Sequence, residues 1–506
     1  MIVAVVMTAE LFARLAGAAA HQQAGEWAEA IRGYRGALAI RDDLPQIHHV
    51  LGVLFLKLGA SATAIAALRQ ALILEPGYAL AHATLATALR SAGQAEAALT
   101  GYRRALQIDL PFPEMLGGLG AALCDLGAGS GAQRACQQAI RLKPDDADAY
   151  NNMGSALVIA GRIDDARAAY GRAVSLCPDS PLFHVNHGLA LLHLGRWVAG
   201  WDAFDWRWRI DKFRSLSAAL SGPQWDGAPL QGRTILLYGE QGLGDVLQFA
   251  RFAPLVAAQG GRVVLRVMAP LVTLLRRLPD VAAVVAFEDP LPPYDCHLPL
   301  MSVPRLLQPD PAAVPARIPY LFPDPVQVAA WSRRLAELAG APGRGIRTVG
   351  LVWAGDPRHR DIDAHPVDRR RSIDLAPLAC LADVPGLTLV SLQKGAAAAA
   401  ARPPGLTLVD WMDEVTDFAD TAALVAALDL VITVDTAVAH LAGALGRPVW
   451  ILSRYDGCWR WLRDRDDTPW YPTARLFRQR SPGDWDEVLE RVVAALRHAI
   501  TADPGI

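Results

Sequence analysis

The chain has 506 residues, a formal net charge of −2 and a composition that is 52% hydrophobic. Near-neutral charge with this apolar content excludes a disordered chain and gives no basic surface for a nucleic acid, so no nucleic-acid partner is expected. Six scattered cysteines (Cys124, Cys136, Cys177, Cys296, Cys380 and Cys458) form no C-x-x-C pair, which argues against a zinc site and fits a reducing, cytoplasmic setting.

The N-terminal stretch "MIVAVVMTAELFARLAGAAA" is apolar. It lacks a basic leader, is broken by Glu10 and Arg14, and runs on with helical spacing, so it reads as a helix or as an over-extended start with Met7 the initiator, rather than as a signal peptide. No uninterrupted run of about 18 apolar residues follows, and no membrane span is expected.

Six glycines then stand 34 residues apart, at Gly25, Gly59, Gly93, Gly127, Gly161 and Gly195. That period belongs to tetratricopeptide (TPR) arrays, in which each helix pair is too thin to bury its apolar face alone and is covered by its neighbour. Small residues recur five positions past each glycine (Ala30, Ala64, Ala98, Ala132, Ala166, Gly200), where a large side chain would hold the helices of a hairpin apart. Larger ones recur nine past it (Tyr34, Leu68, Tyr102, Cys136, Tyr170, Phe204) and alanines twelve past it (Ala37, Ala71, Ala105, Ala139, Ala173). Pro76, Pro144 and Pro178 close second helices, because proline cannot continue them. The expectation is an array over residues 1–212 with a polypeptide partner on its concave face; a helical spacer is the bland alternative. The last repeat departs from the pattern. Arg207 replaces the alanine and Trp201, Trp206 and Trp208 crowd "GWDAFDWRWRIDKF", which suits a cap docking onto the next domain.

Residues 213–231 read as a linker, with the boundary near 222 in "SGPQWDGAPLQGR". Beyond it, strands (Thr234–Tyr238, Arg262–Val267, Thr348–Trp353, Leu387–Leu392, Leu428–Val434, Val449–Leu452) alternate with helices (Asp245–Ala258, Leu271–Leu278). Such alternation means doubly wound parallel sheets. Proline-rich "DPLPPYD" and "FPDPVQ" interrupt the series, giving two Rossmann-like α/β domains, 232–340 and 341–506, with a ligand between them beyond the carboxyl ends of the strands.

Two loops carry the chemistry. In "YGEQGLGDVLQFARF", Gly239, Gly242 and Gly244 are read as permitting a tight turn and a close backbone approach to a ligand, with Asp245 at the helix start. The spacing fits neither a P-loop nor a G-x-G-x-x-G dinucleotide fingerprint. Asp245 as a mere N-cap is the plain alternative. In "DLVITVDTAVAHLAGALGRPVW" a buried strand ends at Val434, Asp435 and Thr436 open a helix, and the free N–H groups of Ala437 to Ala439 make an anion site that a diphosphate fits. Thr436 and His440 share one face of that turn, where hydroxyl and imidazole both donate to phosphate oxygens.

"GLGDVLQ" followed about 190 residues later by "VDTAVAHLAGALG" resembles the bacterial heptosyltransferase-like glycosyltransferases, across roughly residues 232–500. The layout, repeats first, resembles that of protein O-GlcNAc transferases. The resemblance implies the two-Rossmann GT-B fold and a nucleotide-diphosphate sugar as co-substrate, with no cofactor. It implies Asp245 as the general base and Asp435, Thr436, Ala437 and His440 around the donor's ribose and diphosphate. It also implies a basic side chain near the phosphates: Lys394 in "VSLQKG", at a strand's carboxyl end, is preferred to the run Arg369-Arg370-Arg371 in a polar insertion, which reads equally as a solvated loop. Glycosyl transfer gathers negative charge on the leaving diphosphate, so a helix N-terminus and a cation stabilise what develops and no metal is expected. Asp464-Arg465-Asp466 is read as a charged loop, and the helix Asp484–His498 as bracing the first sheet. The expected function is metal-independent sugar transfer to a protein or cell-surface glycan recruited by the array; the alternative is an interaction scaffold whose glycosyltransferase-like domain no longer turns over.

Overall fold

The computed structural model describes residues 2–307, 314, 318–339, 346–357 and 364–501. The domain boundary expected at 340/341 lies outside the described residues, as does part of the polar insertion before Arg369.

The chain divides after Ala160 into two compact units. The first contains the helices Ile2–Gln23, Trp27–Ile40, Pro45–Lys57, Ser61–Leu74, Ala79–Ser91, Ala95–Ile108, Pro113–Asp125, Gly129–Leu142 and Ala147–Ile159. The repeated glycines terminate first helices. All six have φ between +71° and +77°, left-handed backbone that costs glycine nothing. At Gly59 the turn is a Schellman cap, with Gly59 N–H donating to Leu56 O and Ala60 N–H to Phe55 O, each at 2.9 Å; Gly93 and Gly127 repeat it. The 34-residue period is therefore a period of helix ends. Between them the small positions Ala30, Ala64, Ala98 and Ala132 are fully buried, as are Ala37, Ala71, Ala105 and Ala139, and Tyr34, Leu68, Tyr102 and Cys136 fill the space beside them.

The second unit begins with three more helices, Ile163–Leu176, Pro181–His193 and Trp197–Phe204, and a 3-10 turn, Asp205–Arg209. Two parallel sheets follow. The first orders β3 (Val281–Ala286), β2 (Arg262–Val267), β1 (Thr234–Tyr238) and β4 (Cys296–Pro299). The second orders β10 (Ala474–Arg478), β9 (Val449–Ser453), β8 (Leu430–Val434), β5 (Thr348–Val352), β6 (Thr388–Ser391) and β7 (Val409–Asp410). Counted from β5, that is strand order 3-2-1-4-5-6 read from the β7 edge, the doubly wound order whose direction reverses between β5 and β8. The described elements thus form an α-helical repeat region followed by parallel α/β sheets.

Two expectations change. The helix expected over Asp245–Ala258 is broken into Leu243–Phe249, a 3-10 turn Ala250–Phe252 and Ala253–Ala257. Pro254 supplies no N–H to continue the first segment. The last helix, Trp485–Thr501, packs on the second sheet and not the first: Val488, Leu489, Val492 and Leu496 share a core with Val349, Leu351, Leu430 and Ile432. The other face of that sheet joins a larger core that also holds β1 and β2.

That larger core includes Leu192, Trp197, Trp201 and Phe204 from the repeat-like helices. Trp201 stands edge-on to Phe249 and to Trp459, and Trp197 stacks on Trp470 at 5.0 Å. The aromatic end of the repeats is thus packed against both the Leu243–Phe249 helix and the segment between β9 and β10.

Candidate functional site

The loop after β1 is anchored at both ends. Gly239 N–H donates to Arg266 O at 2.9 Å, and Gly242 N–H donates to the Asp245 carboxylate at 2.8 Å. Asp245 thereby closes the first turn of its own helix. Gly242 has φ −78°, and neither Gly239 nor Gly244 has positive φ, so the expected need for a tight glycine turn is not what the glycines serve. They serve close packing. A Cβ on Gly239 would meet Val246 at 2.6 Å, and one on Gly244 would meet His440 at 2.8 Å and the Ala437 backbone at 3.3 Å.

The second contact joins the two loops singled out in the sequence. The helix Ala437–Ala444 starts at the carboxyl end of β8, at the sheet's reversal point, and its first turn lies against Gly244. Thr436 is the N-cap residue, but its hydroxyl bonds that of Thr433 at 2.9 Å. Ala439 N–H is used by Thr436 O, which leaves the amides of Ala437 and Val438 with no acceptor among the described residues. These two are the free donors of the turn.

His440 is buried, with Nδ1 bonded to the Tyr471 hydroxyl at 3.0 Å and its ring stacked on Trp461 at 5.3 Å. Burial, and then the neighbouring Arg460 cation, push its pKa down to about 4. The imidazole is neutral at pH 7, and it packs the two loops together. Asp435 is buried too. Burial alone would raise its carboxyl; Arg371, Arg454 and Arg460 overcome that and hold it below the usual carboxylate range.

Sequence reasoning missed the cation that links the loops. Arg460, in the segment after β9, pairs with Asp245 and donates from Nε to Gln248 at 2.6 Å. Burial opposes its charge, but Asp245 holds its pKa above the ordinary arginine value. Nothing local marks it, because its partner lies 215 positions away. Of the arginine run, Arg371 reaches the site: Nη1 donates to the Asp435 carbonyl at 2.7 Å while the rest of the guanidinium is held by Asp368. Gly355, after β5, leaves room for that pair. Arg370 instead pairs with Asp456 at 3.2 Å. Lys394 is exposed, and its ammonium donates to the Val415 carbonyl, so it is not among the cations brought to Asp435 and Asp245. In Asp464-Arg465-Asp466, Arg465 pairs with Asp467, and no group of three or more His, Cys, Asp or Glu suited to a metal occurs among the described residues.

The site therefore brings together Asp245, Gly242, Gly244, Ala437, His440 and Asp435, with Arg460 and Arg371 as its cations. It can hold an anion against two free amides and two guanidinium groups, beside a carboxylate that is partly exposed.

A model described as "Glycosyltransferase family 9 (heptosyltransferase)" matches residues 414–453, which span β8 and the Ala437–Ala444 helix. TPR models match residues 135–168 and 154–195. The chain is 31% identical over 332 residues to Protein FlbA of Caulobacter vibrioides, covering 60% of this chain and 53% of that protein, so it spans about half the length of the curated relative it matches. Among solved structures, a thermophilic TPR protein of Thermus thermophilus covers 36% of this chain and 99% of its own at 22% identity and TM-score 0.32. PilW, a type IV pilus biogenesis factor, covers 41% and 97% at 14% identity and TM-score 0.36. The chain carries TPR repeats joined to a segment similar to glycosyltransferase family 9. No helix among the described residues is long and apolar enough to cross a membrane.

Proposed function

We propose that the chain transfers a sugar from a nucleotide-diphosphate donor to an acceptor hydroxyl, without a metal, and that its repeats recruit a polypeptide that carries or presents the acceptor. We also assign this reaction to the cytoplasm, and the domains to 1–212, 232–340 and 341–506 around a linker at 213–231. One observation carries the reading: Gly244, next to Asp245, lies against Ala437 and His440, so the loop that bears the carboxylate meets the helix turn whose first two amides have no acceptor among the described residues.

In this mechanism the donor's diphosphate lies on the Ala437 and Val438 amides, with Asp435 and Thr436 toward the ribose. The bond from the anomeric carbon to the diphosphate oxygen breaks and its electron pair leaves with the diphosphate. Arg460 and Arg371 stabilise that charge as it develops, in a site whose dipoles are already oriented. The acceptor oxygen forms the new bond to the anomeric carbon and gives its proton to Asp245. Lys394 has no part in this scheme.

A second reading, a scaffold that no longer turns over, draws support from the same carboxylate: one Asp245 oxygen is paired with Arg460 and the other accepts the Gly242 amide. The test is thermal stabilisation by a panel of nucleoside diphosphates and nucleotide sugars, with and without EDTA, followed by transfer assays. Transferase action predicts a selective, EDTA-insensitive shift that Arg460→Met removes, and a fall in turnover of about 100-fold or more in Asp245→Asn with the shift intact. Full turnover by Asp245→Asn removes it as the base. No shift with any nucleotide favours the scaffold.

A further inference from the structure

We propose that Arg207 is a positioning residue for the loop that leads to Asp245: the end of the helical repeats holds that loop through a buried ion pair with Glu240. Arg207 is the residue that breaks the repeat pattern. Its side chain is 1% exposed, and it donates to Asp205 Oδ1, to Glu240 Oε1 and to Ser302 Oγ, each at 2.8 Å. The Glu240 side chain is fully buried. Ser302 in turn donates to Asp205, and Arg305 Nε lies 3.2 Å from the other Asp205 oxygen. The Arg207 and Arg305 guanidinium groups therefore bracket Asp205, and Arg207 carries Glu240 as well.

The pair sits between the loop's two backbone anchors, and Glu240 also accepts from the Met301 amide. Backbone and capping bonds fix Gly239 and Gly242; between them the side chain tied to the rest of the protein is that of Glu240. A buried ion pair is a poor source of net stability, since desolvation of both charges offsets their attraction. What it does supply is direction. A planar guanidinium that binds these three side-chain oxygens and the Phe204 carbonyl at once accepts one placement of each. Asp245 stands five residues beyond Glu240, at the end of the held segment. The functional consequence rests on the reading of Asp245 given above, whereas the positioning can be measured with no substrate present.

The experiment is hydrogen–deuterium exchange on the full chain without ligand. In Arg207→Met the amides of 239–246 should exchange about tenfold faster or more, while those of β5 and β8 keep their wild-type protection. Arg207→Lys, the variant that holds even if Arg207→Met folds poorly, should fall between, because one ammonium cannot match the planar fork. Combining Arg207→Met with Glu240→Gln should exchange no faster than Arg207→Met alone, as two members of one unit do. Unchanged loop protection in Arg207→Met and Arg207→Lys overturns the proposal. So does loss of protection spread equally over the loop, β5 and β8, which would mean general destabilisation. A loosened loop with undiminished transfer would leave the positioning standing and overturn the role of Asp245 instead.

Discussion

The helices up to Ile159 and those from Ile163 to Phe204 share one 34-residue register, yet they bury different things. In the first set most of the fully buried positions are alanines, packed beside tyrosine, leucine or cysteine, and helices are covered by other helices of their kind. In the second, Trp197, Trp201 and Phe204 occupy the same kind of helix and are buried among Phe249, Trp459 and Trp470 of the α/β part. Regularity therefore marks where the chain stabilises itself by repetition, and the breaks in it mark where the repeats have become part of the unit that holds the site.

The comparison breaks most visibly under truncation. A chain beginning at Gly161 keeps the aromatic contacts and is expected to melt as a cooperative unit, whereas one beginning at residue 213 loses Trp197, Trp201, Phe204 and Arg207 together. Truncating even a single large buried aromatic costs roughly 3–5 kcal/mol, comparable with the whole stability of a marginal domain. The shorter chain should therefore be insoluble or non-cooperative by calorimetry. Two chains melting alike would mean that Trp197, Trp201, Phe204 and Arg207 add nothing to the stability of the α/β part.

A finer contrast comes from glycines inside helices. A Cβ on Gly188 would lie 2.6 Å from the Phe204 backbone nitrogen and 2.9 Å from the Gly200 carbonyl, and backbone cannot swing aside. Gly188→Ala should cost about 1–3 kcal/mol by denaturant unfolding. Gly117, in the regular part, has nothing within 4 Å of the same built atom. Gly117→Ala should stabilise by about 0.5–1 kcal/mol, from helix propensity alone. Effects of the same sign and size, or reversed signs, would deny that the last hairpin is the more tightly closed of the two.

What the sequence made legible follows the same division. Helix ends were readable because one left-handed glycine per repeat writes them, and β1 and β2 were readable to the residue because their apolar runs are bounded by turn residues. β3, β4, β7 and β10 were not foreseen: β7 has two residues and β4 is a four-residue strand ending in proline. Asp245, Ala437 and His440 stand in local motifs and could be named, although the glycine beside them turned out to serve packing. Arg460 and Glu240 could not, because ion pairs such as Arg460–Asp245 and Arg207–Glu240 follow no period. Arg207 was visible only as an exception to a rule, and it was the exception that held a contact.

The remaining contrast lies in the pH dependence of stability, where two buried groups of the second unit oppose each other. His440 is pushed from 6.5 down to about 4, so the unfolded chain takes up a proton first and stability is lost as pH falls from 6.5 toward 4. Glu240 is pushed by burial, against the pull of Arg207, from 4.5 up to about 7, so the folded chain keeps its proton longer and stability is lost as pH rises from 4.5 toward 7. Across pH 4.5–6.5 the slopes have opposite signs, each at most about 1.4 kcal/mol per pH unit. The groups facing Glu240 are Arg207 from the 3-10 turn, Asp245 from its own segment, Tyr238 from β1, and the Met301 amide. Relative to wild type, Glu240→Gln should make the melting temperature rise more steeply with pH, and His440→Asn should make it rise less steeply or fall. His193, pushed by burial and neighbouring arginines down to about 3, adds the same slope to all three proteins and cancels in the differences. Parallel curves for wild type and both variants would mean that neither the Arg207–Glu240 pair nor the His440 wedge is closed to water in solution, and with them would go the claim that this end of the repeats is built into the site.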